Sequence, residues 1–319
     1  MTEFLSATAV GPGGAPAGGQ DISGFDATEA RKQWQVVIRR FMRHRLAVFG
    51  MGMFVFLLFV AFVGGAFWKH SYKTTEFPRY SSPSADHPFG TDLLGADMVA
   101  QVIRGLRFSL QIAITVALVS TFIGVVLGAI AGYKRGWVDA VISRFIDLVL
   151  VIPGLVIVVV MARSSFSNVA GQSGSNWLIV AMYLSFVFWL SIARVVRGMV
   201  LSLREKEFVE AARAMGGSTM RIVFRHILPN TVDVIIVNAT LSVALAVLSE
   251  AAISFIGLGV RSPDTSLGLL INQNRNELNL HPWLFFIPFA FIVMVSLAVN
   301  FMGDGLRDAL DPRQRRVRA

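Results

Sequence analysis

The side chains best suited to chemistry in this chain form a charged tract between two long apolar runs. Residues 197–230 contain six Lys or Arg and three Glu. A charge at the centre of a bilayer costs about 2.5 to 3.5 kcal/mol, so burying all of them would cost more than about 20 kcal/mol. The tract must therefore lie in water at a membrane surface, where its chemistry is that of polar contacts with another protein.

The order of residues within this tract predicts a helix, a tight turn and a second helix. Residues 203–215 are rich in Arg, Glu, Lys and Ala, which favour helix. Gly216 and Gly217 permit the left-handed turn that ends a helix, and Pro229 closes the second helix. Two adjacent alanines (211–212) remove side-chain bulk and would let a partner approach the backbone. We expect a short, rigid hairpin that transmits force; an ordinary cytoplasmic loop is the alternative.

Three charged residues inside apolar runs are candidates for a pathway or gate. Asp147 follows Arg144 by three residues, so their side chains can meet on one helix. This spacing predicts a structural pair or an inner-gate contact, with a proton relay as the alternative. Glu250 lies about 25 Å along a helix from Asp233, in the outer half of its run. An intramembrane carboxylate is a functional candidate, and Glu250 either lines a translocation path or hydrogen-bonds to a neighbouring helix.

The composition is that of an integral membrane protein. Of the 319 residues, 54% are hydrophobic and 15% charged, with a mean hydropathy of +0.62, whereas soluble domains have about 25% charged residues. The net charge of +9 is explained by basic loops kept in the cytoplasm, so nucleic-acid binding is not expected. The sequence has no cysteine, no GxxxxGK[ST] loop for ATP and no paired histidine spacing. We therefore expect no enzyme activity, no cofactor and no metal in this chain.

Six apolar runs are long enough to cross a bilayer, which needs about 20 helical residues. They predict an all-α integral membrane protein with six transmembrane helices. The runs are 46–68, 108–133, 141–162, 177–196, 233–258 and 283–303. Six crossings put both termini on one side, and the segments on that side hold 21 of the 29 Lys and Arg. By the positive-inside rule this side is the cytoplasm.

The other segments complete the predicted organisation. Residues 1–30 are too poor in apolar residues to fold and predict a disordered cytoplasmic tail. Residues 31–45 place apolar side chains at helical spacing among basic ones, which predicts an amphipathic helix lying on membrane lipid. The remaining predicted divisions are a first transmembrane helix with its outer loop (46–107), a core five-helix domain (108–306) that includes the hairpin (203–230), and a basic cytoplasmic tail (307–319).

One face of the second run carries only glycine. Gly124, Gly128 and Gly132 recur at strict four-residue spacing and so share one side of a helix. A neighbouring helix can approach closely at such a face. We interpret the stripe as a packing surface and not as a binding signature.

Four motifs, in order along the chain, resemble those of ABC-importer permeases. The tract 208–230 is similar to their EAA loop, which reads Glu-Ala-Ala, three residues, Gly and a closing Leu-Pro. The histidine at position 226, two residues before the closing Leu, is similar to the pattern of the dipeptide/oligopeptide/nickel branch of the family. Segments 87–97, 254–260 and 303–313 look like the C-type peptide permease subunit, although Ala96 and Leu267 replace a usual Arg and Trp. The resemblance implies that the residues coupling to an ATPase are Glu210, Ala211, Ala212, Gly216, Gly217, Leu228 and Pro229.

The resemblance also implies a fold, a location and partners. It implies a type I ABC-importer permease fold with a cytoplasmic coupling helix, in the inner (plasma) membrane of a bacterium. The implied partners are a homologous second permease subunit, two ATPases that hold ATP and magnesium, and an extracytoplasmic substrate-binding protein. The implied cargo is dipeptides or oligopeptides, with nickel or another small solute as the alternative. An ATPase-independent secondary transporter is the other class, and it would show broken helices or inverted repeats near the midplane.

Overall fold

The computed structural model describes residues 35–169, 176–262 and 264–310, so the expected tail 1–30 and most of the tail 307–319 lie outside the described residues. Within these ranges the secondary structure is helical, apart from one isolated bridge between Thr91 and Asp97. The helices are α1 (35–43), α2 (Arg45–Phe67, with a π turn at Val60–Gly64), α3 (Met98–Lys134), α4 (Gly136–Val151), α5 (Gly154–Val169), α6 (Trp177–Leu203), α7 (Glu207–Ala214), α8 (Thr219–Ile222), α9 (Val232–Phe255), α10 (Leu267–Asn274) and α11 (Trp283–Leu310).

Among the described residues, five helices are long and apolar enough to cross a membrane, namely α2, α3, α6, α9 and α11. Each corresponds to one of the predicted runs, but several extend further. The helix α3 begins at Met98 and not at 108 because Asp97 caps it, its carboxylate accepting the Ala100 N–H at 2.8 Å. At the other end of the chain α11 continues to Leu310, so the expected basic tail begins inside this helix.

The third predicted run, 141–162, is not one helix. The chain bends by 88° between α4 and α5. Proline has no backbone N–H and disfavours helical geometry in the residue before it, and Ile152 accordingly has extended backbone angles (φ −86°, ψ 129°) next to Pro153. The signal for this break, Ile-Pro-Gly at 152–154, was present in the sequence. A broken helix, one of the features expected of a secondary transporter, is therefore present in this chain.

The glycine stripe packs against α6 as predicted. A Cβ atom added to Gly124 would lie 2.8 Å from Ile192, and one on Gly128 would lie 2.6 Å from the Ala193 carbonyl oxygen. A Cβ on Gly132 would lie 2.8 Å from the Arg197 carbonyl oxygen. Residue numbers rise together along both helices, so α3 and α6 run parallel in close backbone contact.

The parallel pair defines two ends of the molecule. At 1.5 Å per residue, the 37 residues of α3 span about 55 Å. The loop 68–97 lies at the start of α3, whereas the hairpin 203–230 follows the end of α6. Because α6 runs parallel to α3, it also starts at the end of the molecule where the loop 68–97 lies. There the Asn176 side chain donates to the Gly259 carbonyl oxygen at 3.2 Å. The bent pair α4–α5, which connects the end of α3 to the start of α6, therefore carries the chain between the two ends. Counted as one span, the bent pair is the sixth crossing.

The N-terminal helix α1 lies against the end of α11. Phe41 is buried and packs with Ala309 and Ala47. Ile38 and Met42, which lie beside this contact on the helix, are exposed. A helix with one side on protein and exposed apolar residues beside it is consistent with the predicted interfacial position.

Candidate functional site

The first helix of the hairpin, α7, has one face in the protein and one face in solvent. Val209 and Ala212 are buried against Val200 of α6 and against Ile227 in the second half of the hairpin. Glu210 and its neighbour at 211 are exposed. Of the two alanines expected to face a partner, Ala211 is therefore open to one, and Ala212 instead fills the contact between the hairpin and the bundle.

The turn of the hairpin uses both glycines, each for a different reason. Gly216 has φ +77°, a left-handed conformation that other residues adopt only with strain. Gly217 has a confined position, since an added Cβ would lie 2.7 Å from the Ala212 carbonyl oxygen, which accepts the Gly217 N–H at 3.0 Å. Ser218 then caps α8, its hydroxyl accepting the Arg221 N–H.

The second half of the hairpin is a short helix that changes pitch twice. After α8 the chain forms a π turn over Val223–Ile227 and a 3₁₀ turn over Leu228–Asn230. Leu228 is half-buried, and Pro229 is exposed inside the 3₁₀ turn. Pro229 therefore ends the second helix as predicted, but by tightening its last turn.

The base of the hairpin is tied to the end of α3. Arg204 donates to the Tyr133 carbonyl oxygen and lies over the Tyr133 ring, 5.6 Å from its centroid. Arg135 forms an ion pair with Glu205 at 2.7 Å. Because the two segments are about 70 positions apart, the sequence alone could not have paired them. These contacts join the hairpin to both helices of the parallel pair.

The solvent side of the hairpin also carries large apolar side chains. Met215 is 81% exposed, Met220 66% and Phe224 56%, and Phe208 is exposed beside them. Exposed apolar side chains on a polar segment are typical of a contact surface for another protein. Sequence reasoning missed these residues, although the sequence shows large apolar residues among the charged residues of the hairpin.

The expected pair between Arg144 and Asp147 does not form. Asp147 instead accepts a hydrogen bond from Arg194 of α6 at 2.8 Å, and both side chains are more than half exposed. Arg144 is exposed as well. A more buried pair that the sequence did not suggest joins the same helices: Arg197 contacts both carboxylate oxygens of Asp139, at 2.5 and 2.8 Å. Arginine on a facing helix reaches the carboxylates in a forked geometry, which competes with contacts along one helix.

Glu250 is completely buried, with 0% of its surface exposed. Its carboxylate accepts hydrogen bonds from Ser109 of α3 at 2.8 Å and Ser254 of α9 at 2.5 Å. Ser254 also contacts the Ser266 hydroxyl at 3.2 Å, and the Ser109 hydroxyl accepts the Leu267 N–H at 3.2 Å at the start of α10. The structure shows one of the two interpretations of Glu250, a hydrogen bond to a neighbouring helix. We call these five residues the Glu250 cluster.

The loop before α3 is built around a half-buried carboxylate. Asp92 accepts the N–H groups of Leu94 and Ala96 at 2.8 Å each. Burial raises the pKa of Asp92 despite these hydrogen bonds. Gly95 has φ +77° in the resulting turn, and a side chain there would meet the Phe77 carbonyl. The segment 87–97 is therefore a fixed turn that orients the start of α3.

The chain matches two family profiles. Residues 124–316 match the family described as "Binding-protein-dependent transport system inner membrane component". Residues 32–85 match the one described as "N-terminal TM domain of oligopeptide transport permease C". The first profile alone covers more than half of the chain.

Similar curated proteins extend over nearly the whole chain. The oligopeptide transport system permease protein OppC of Mycobacterium tuberculosis (strain ATCC 25618 / H37Rv) is 37% identical over 91% of this chain and 98% of its own length. The OppC proteins of Escherichia coli (strain K12) and Bacillus subtilis (strain 168) are 38% and 36% identical, over 90% and 89% of this chain and 93% and 90% of their own lengths.

A solved structure shares the fold. The MetNI methionine ABC transporter, in inward-facing conformations, aligns with a TM-score of 0.53 at 22% identity, over 67% of this chain and 98% of that chain. Together with the family profiles and the relatives, this defines the fold as that of an ABC-importer permease. The chain belongs to the family of binding-protein-dependent transport system inner membrane components: it is a multi-pass bacterial membrane protein and a permease subunit of an ABC transporter, not an enzyme.

Proposed function

We propose that this chain forms half of the translocation pathway of an ATP-driven importer of oligopeptides. The cargo follows from the relatives, which are named as oligopeptide permeases. The observation that carries the coupling role is the hairpin 203–230, whose apolar and acidic surface is exposed while its base is tied to α3 and α6. The partners are two cytoplasmic ATPases, a homologous second permease and an extracytoplasmic substrate-binding protein.

The contacts of the hairpin with the helix bundle can transmit a displacement that a partner imposes on it. Val209 and Ala212 anchor α7 to the bundle, so α7 cannot move without moving α6. The Arg135–Glu205 pair and the Arg204 contact pass the same displacement to α3. In this mechanism, ATP favours the outward-open state because the ATPases grip the hairpin differently in the two states. Hydrolysis by the ATPases then resets the transporter.

Neighbouring alanines offer a direct test of the coupling role. The chain has no native cysteine, so an introduced cysteine is the only thiol of this chain that can react. In the assembled transporter, Ala211→Cys should form a crosslinked product with an ATPase. The matched variant Ala212→Cys lies on the buried face and should not. Absence of a product at 211, or equal products at both positions, would remove the coupling assignment.

The orientation has its own test. With both termini in the cytoplasm, the hairpin faces the cytosol and the loop 68–97 faces outward. A membrane-impermeant thiol reagent added to intact cells should label Ser82→Cys, which is exposed in that loop, and not Ala211→Cys. Labelling in the reverse pattern would invert the orientation.

A further inference from the structure

The loop between α2 and α3 brings together two histidines that are 17 positions apart in the sequence. The rings of His70 and His87 stack with centroids 4.7 Å apart, and Phe77 packs against both, at 4.8 and 4.5 Å. Both histidine side chains are mostly buried, with 15% and 9% of their surface exposed. Ligand atoms of His70, His87 and Asp97 all lie within 4.8 Å of one another. The chain has five histidines, scattered in sequence, and it is the fold that pairs these two.

Asp97 fixes the orientation and the tautomer of His87. The Asp97 carboxylate contacts His87 Nδ1 at 2.8 Å through Oδ2. Its other oxygen accepts the Trp68 indole N–H and the Ala100 N–H, each at 2.8 Å. Because a carboxylate only accepts, Nδ1 of His87 is the protonated nitrogen, and in the neutral ring Nε2 carries a free lone pair. A carboxylate behind the distal nitrogen is the usual support of a metal-binding histidine.

Both Nε2 atoms face the carboxylate of Asp86. His87 Nε2 lies 3.6 Å from Asp86 Oδ2, and His70 Nε2 lies 3.8 Å from Asp86 Oδ1. His70 Nε2 is buried and makes no hydrogen bond among the described residues. Tetrahedral zinc, with bonds of about 2.0 to 2.2 Å, holds neighbouring ligand atoms about 3.4 Å apart. The two nitrogen–oxygen distances, one to each oxygen of Asp86, are longer than that spacing by about 0.2 and 0.4 Å.

We propose that His70, His87 and Asp86 bind one divalent transition-metal cation, for which Zn²⁺ is the best match, with Asp97 supporting His87 from behind. Two imidazole nitrogens and a carboxylate oxygen are ligands that zinc prefers, and the fourth position is left for water. The site lies at the end of the molecule opposite the hairpin. It goes beyond the proposed transport function and does not depend on it.

An ion pair without metal explains the arrangement less well. Two stacked imidazolium rings would repel each other, so both histidines cannot pair with Asp86 as cations. Asp86 already has a cation, since it contacts Lys69, and this contact lowers its pKa. Both Lys69 and Asp86 are at least half exposed, so the lysine can swing into solvent when a metal arrives. The pairing of Asp86 with Lys69 does not give His70 Nε2 a hydrogen-bond partner, whereas a metal would bind that nitrogen.

A bound metal would join two segments. His70 follows the end of α2, and the other ligands precede the start of α3. The cation would therefore tie the first crossing to the core helices and close the loop between them. Metal binding to a folded site adds to the stability of the segments that it joins.

The test uses the assembled transporter, purified on an affinity tag that contains no histidine and freed of metal with a chelator. Co²⁺ is titrated as a spectroscopic probe of tetrahedral nitrogen and oxygen ligands, and Zn²⁺ is then added as a competitor. We expect one cation per copy of this chain and a rise in the unfolding temperature with Zn²⁺. His70→Ala and His87→Ala should weaken binding at least about tenfold.

Two further variants keep the result independent of folding. His281→Ala is the matched control, because His281 stacks on Tyr80 at the same end of the molecule and is not part of the cluster. It should leave the affinity unchanged. Asp86→Asn alters an exposed side chain and should weaken binding at least about tenfold. Substoichiometric binding by the wild type, or full affinity in correctly assembled His70→Ala or Asp86→Asn, would overturn the proposal.

Discussion

The hairpin and the Glu250 cluster are both polar regions of a largely apolar protein, and they treat their polar groups in opposite ways. The hairpin exposes Glu210 and large apolar side chains such as Met215, and its own core is small. The Glu250 cluster exposes nothing, and its carboxylate is satisfied by hydroxyls from two helices. Under the proposed function the hairpin surface contacts a partner, whereas the polar groups of the Glu250 cluster bind one another within this chain. Substitutions should accordingly affect transport in the first region and stability in the second.

The largest effect is expected at the turn of the hairpin. Gly216→Val places a β-branched residue at φ +77°, where strain of about 1–3 kcal/mol is expected, although nothing lies within 4 Å of the added Cβ. Peptide uptake should fall at least about tenfold, while the amount of protein in the membrane stays normal. Glu210→Lys, which reverses an exposed charge, should have the same outcome. Normal uptake by either variant would contradict the role of the hairpin.

The next largest effect is expected at Glu250. Glu250→Ala leaves the buried hydroxyls of Ser109 and Ser254 without their acceptor and should lower the free energy of unfolding by about 2–5 kcal/mol. Glu250→Gln keeps an acceptor oxygen and should cost less. Denaturant titration of the purified protein measures both. If Glu250→Ala is as stable as the wild type but transports abnormally, the path-lining interpretation returns.

A third pair of variants examines the parallel helices that connect the two regions. Gly128→Ala places a Cβ 2.6 Å from the Ala193 carbonyl oxygen, so α3 and α6 must separate, at a cost of about 1–3 kcal/mol. Gly198→Ala, on α6, meets nothing within 4 Å and should be neutral or stabilising by up to about 1 kcal/mol. Thermal unfolding compares the two. Equal stabilities would show that the close contact is unimportant.

The smallest effect is expected for the exposed pair of Asp147 and Arg194. Asp147→Asn should change the free energy of unfolding by less than about 1 kcal/mol, because both side chains are largely in solvent. Asp139→Asn should cost more, since Asp139 is mostly buried and paired with Arg197 through both oxygens. The reverse order, measured by the same unfolding method, would mean that Asp147 acts as a gate contact after all.

The sequence predicted what depends on local order and composition. Hydropathy located the five long apolar helices, and the Gly216–Gly217 pair located the turn of the hairpin, because these features depend on residues close together in the chain. The four-residue glycine spacing predicted a packing face for the same reason. The bend at Pro153 could have been predicted too, but hydropathy outweighed the proline in the interpretation of that run.

The sequence failed where a side chain chooses among partners far away in the chain. Asp147 had a plausible partner three residues earlier, yet its contact is with Arg194 on another helix. The direction that Ala212 faces, and the enclosure of Glu250 by serines from two helices, depend on how helices rotate against one another. Helical spacing alone does not determine that rotation.

The 88° elbow at Pro153 has a consequence for what surrounds this subunit. Peptide groups outside a regular helix cannot be left facing acyl chains, so a non-helical stretch within a bilayer has to be covered by protein or reached by water. Val151 is 82% exposed and Ile152 44% exposed in the single chain. That side of the molecule is therefore unsuited to the lipid boundary, and it should be the side that is shielded or wetted when the subunit stands in its full assembly.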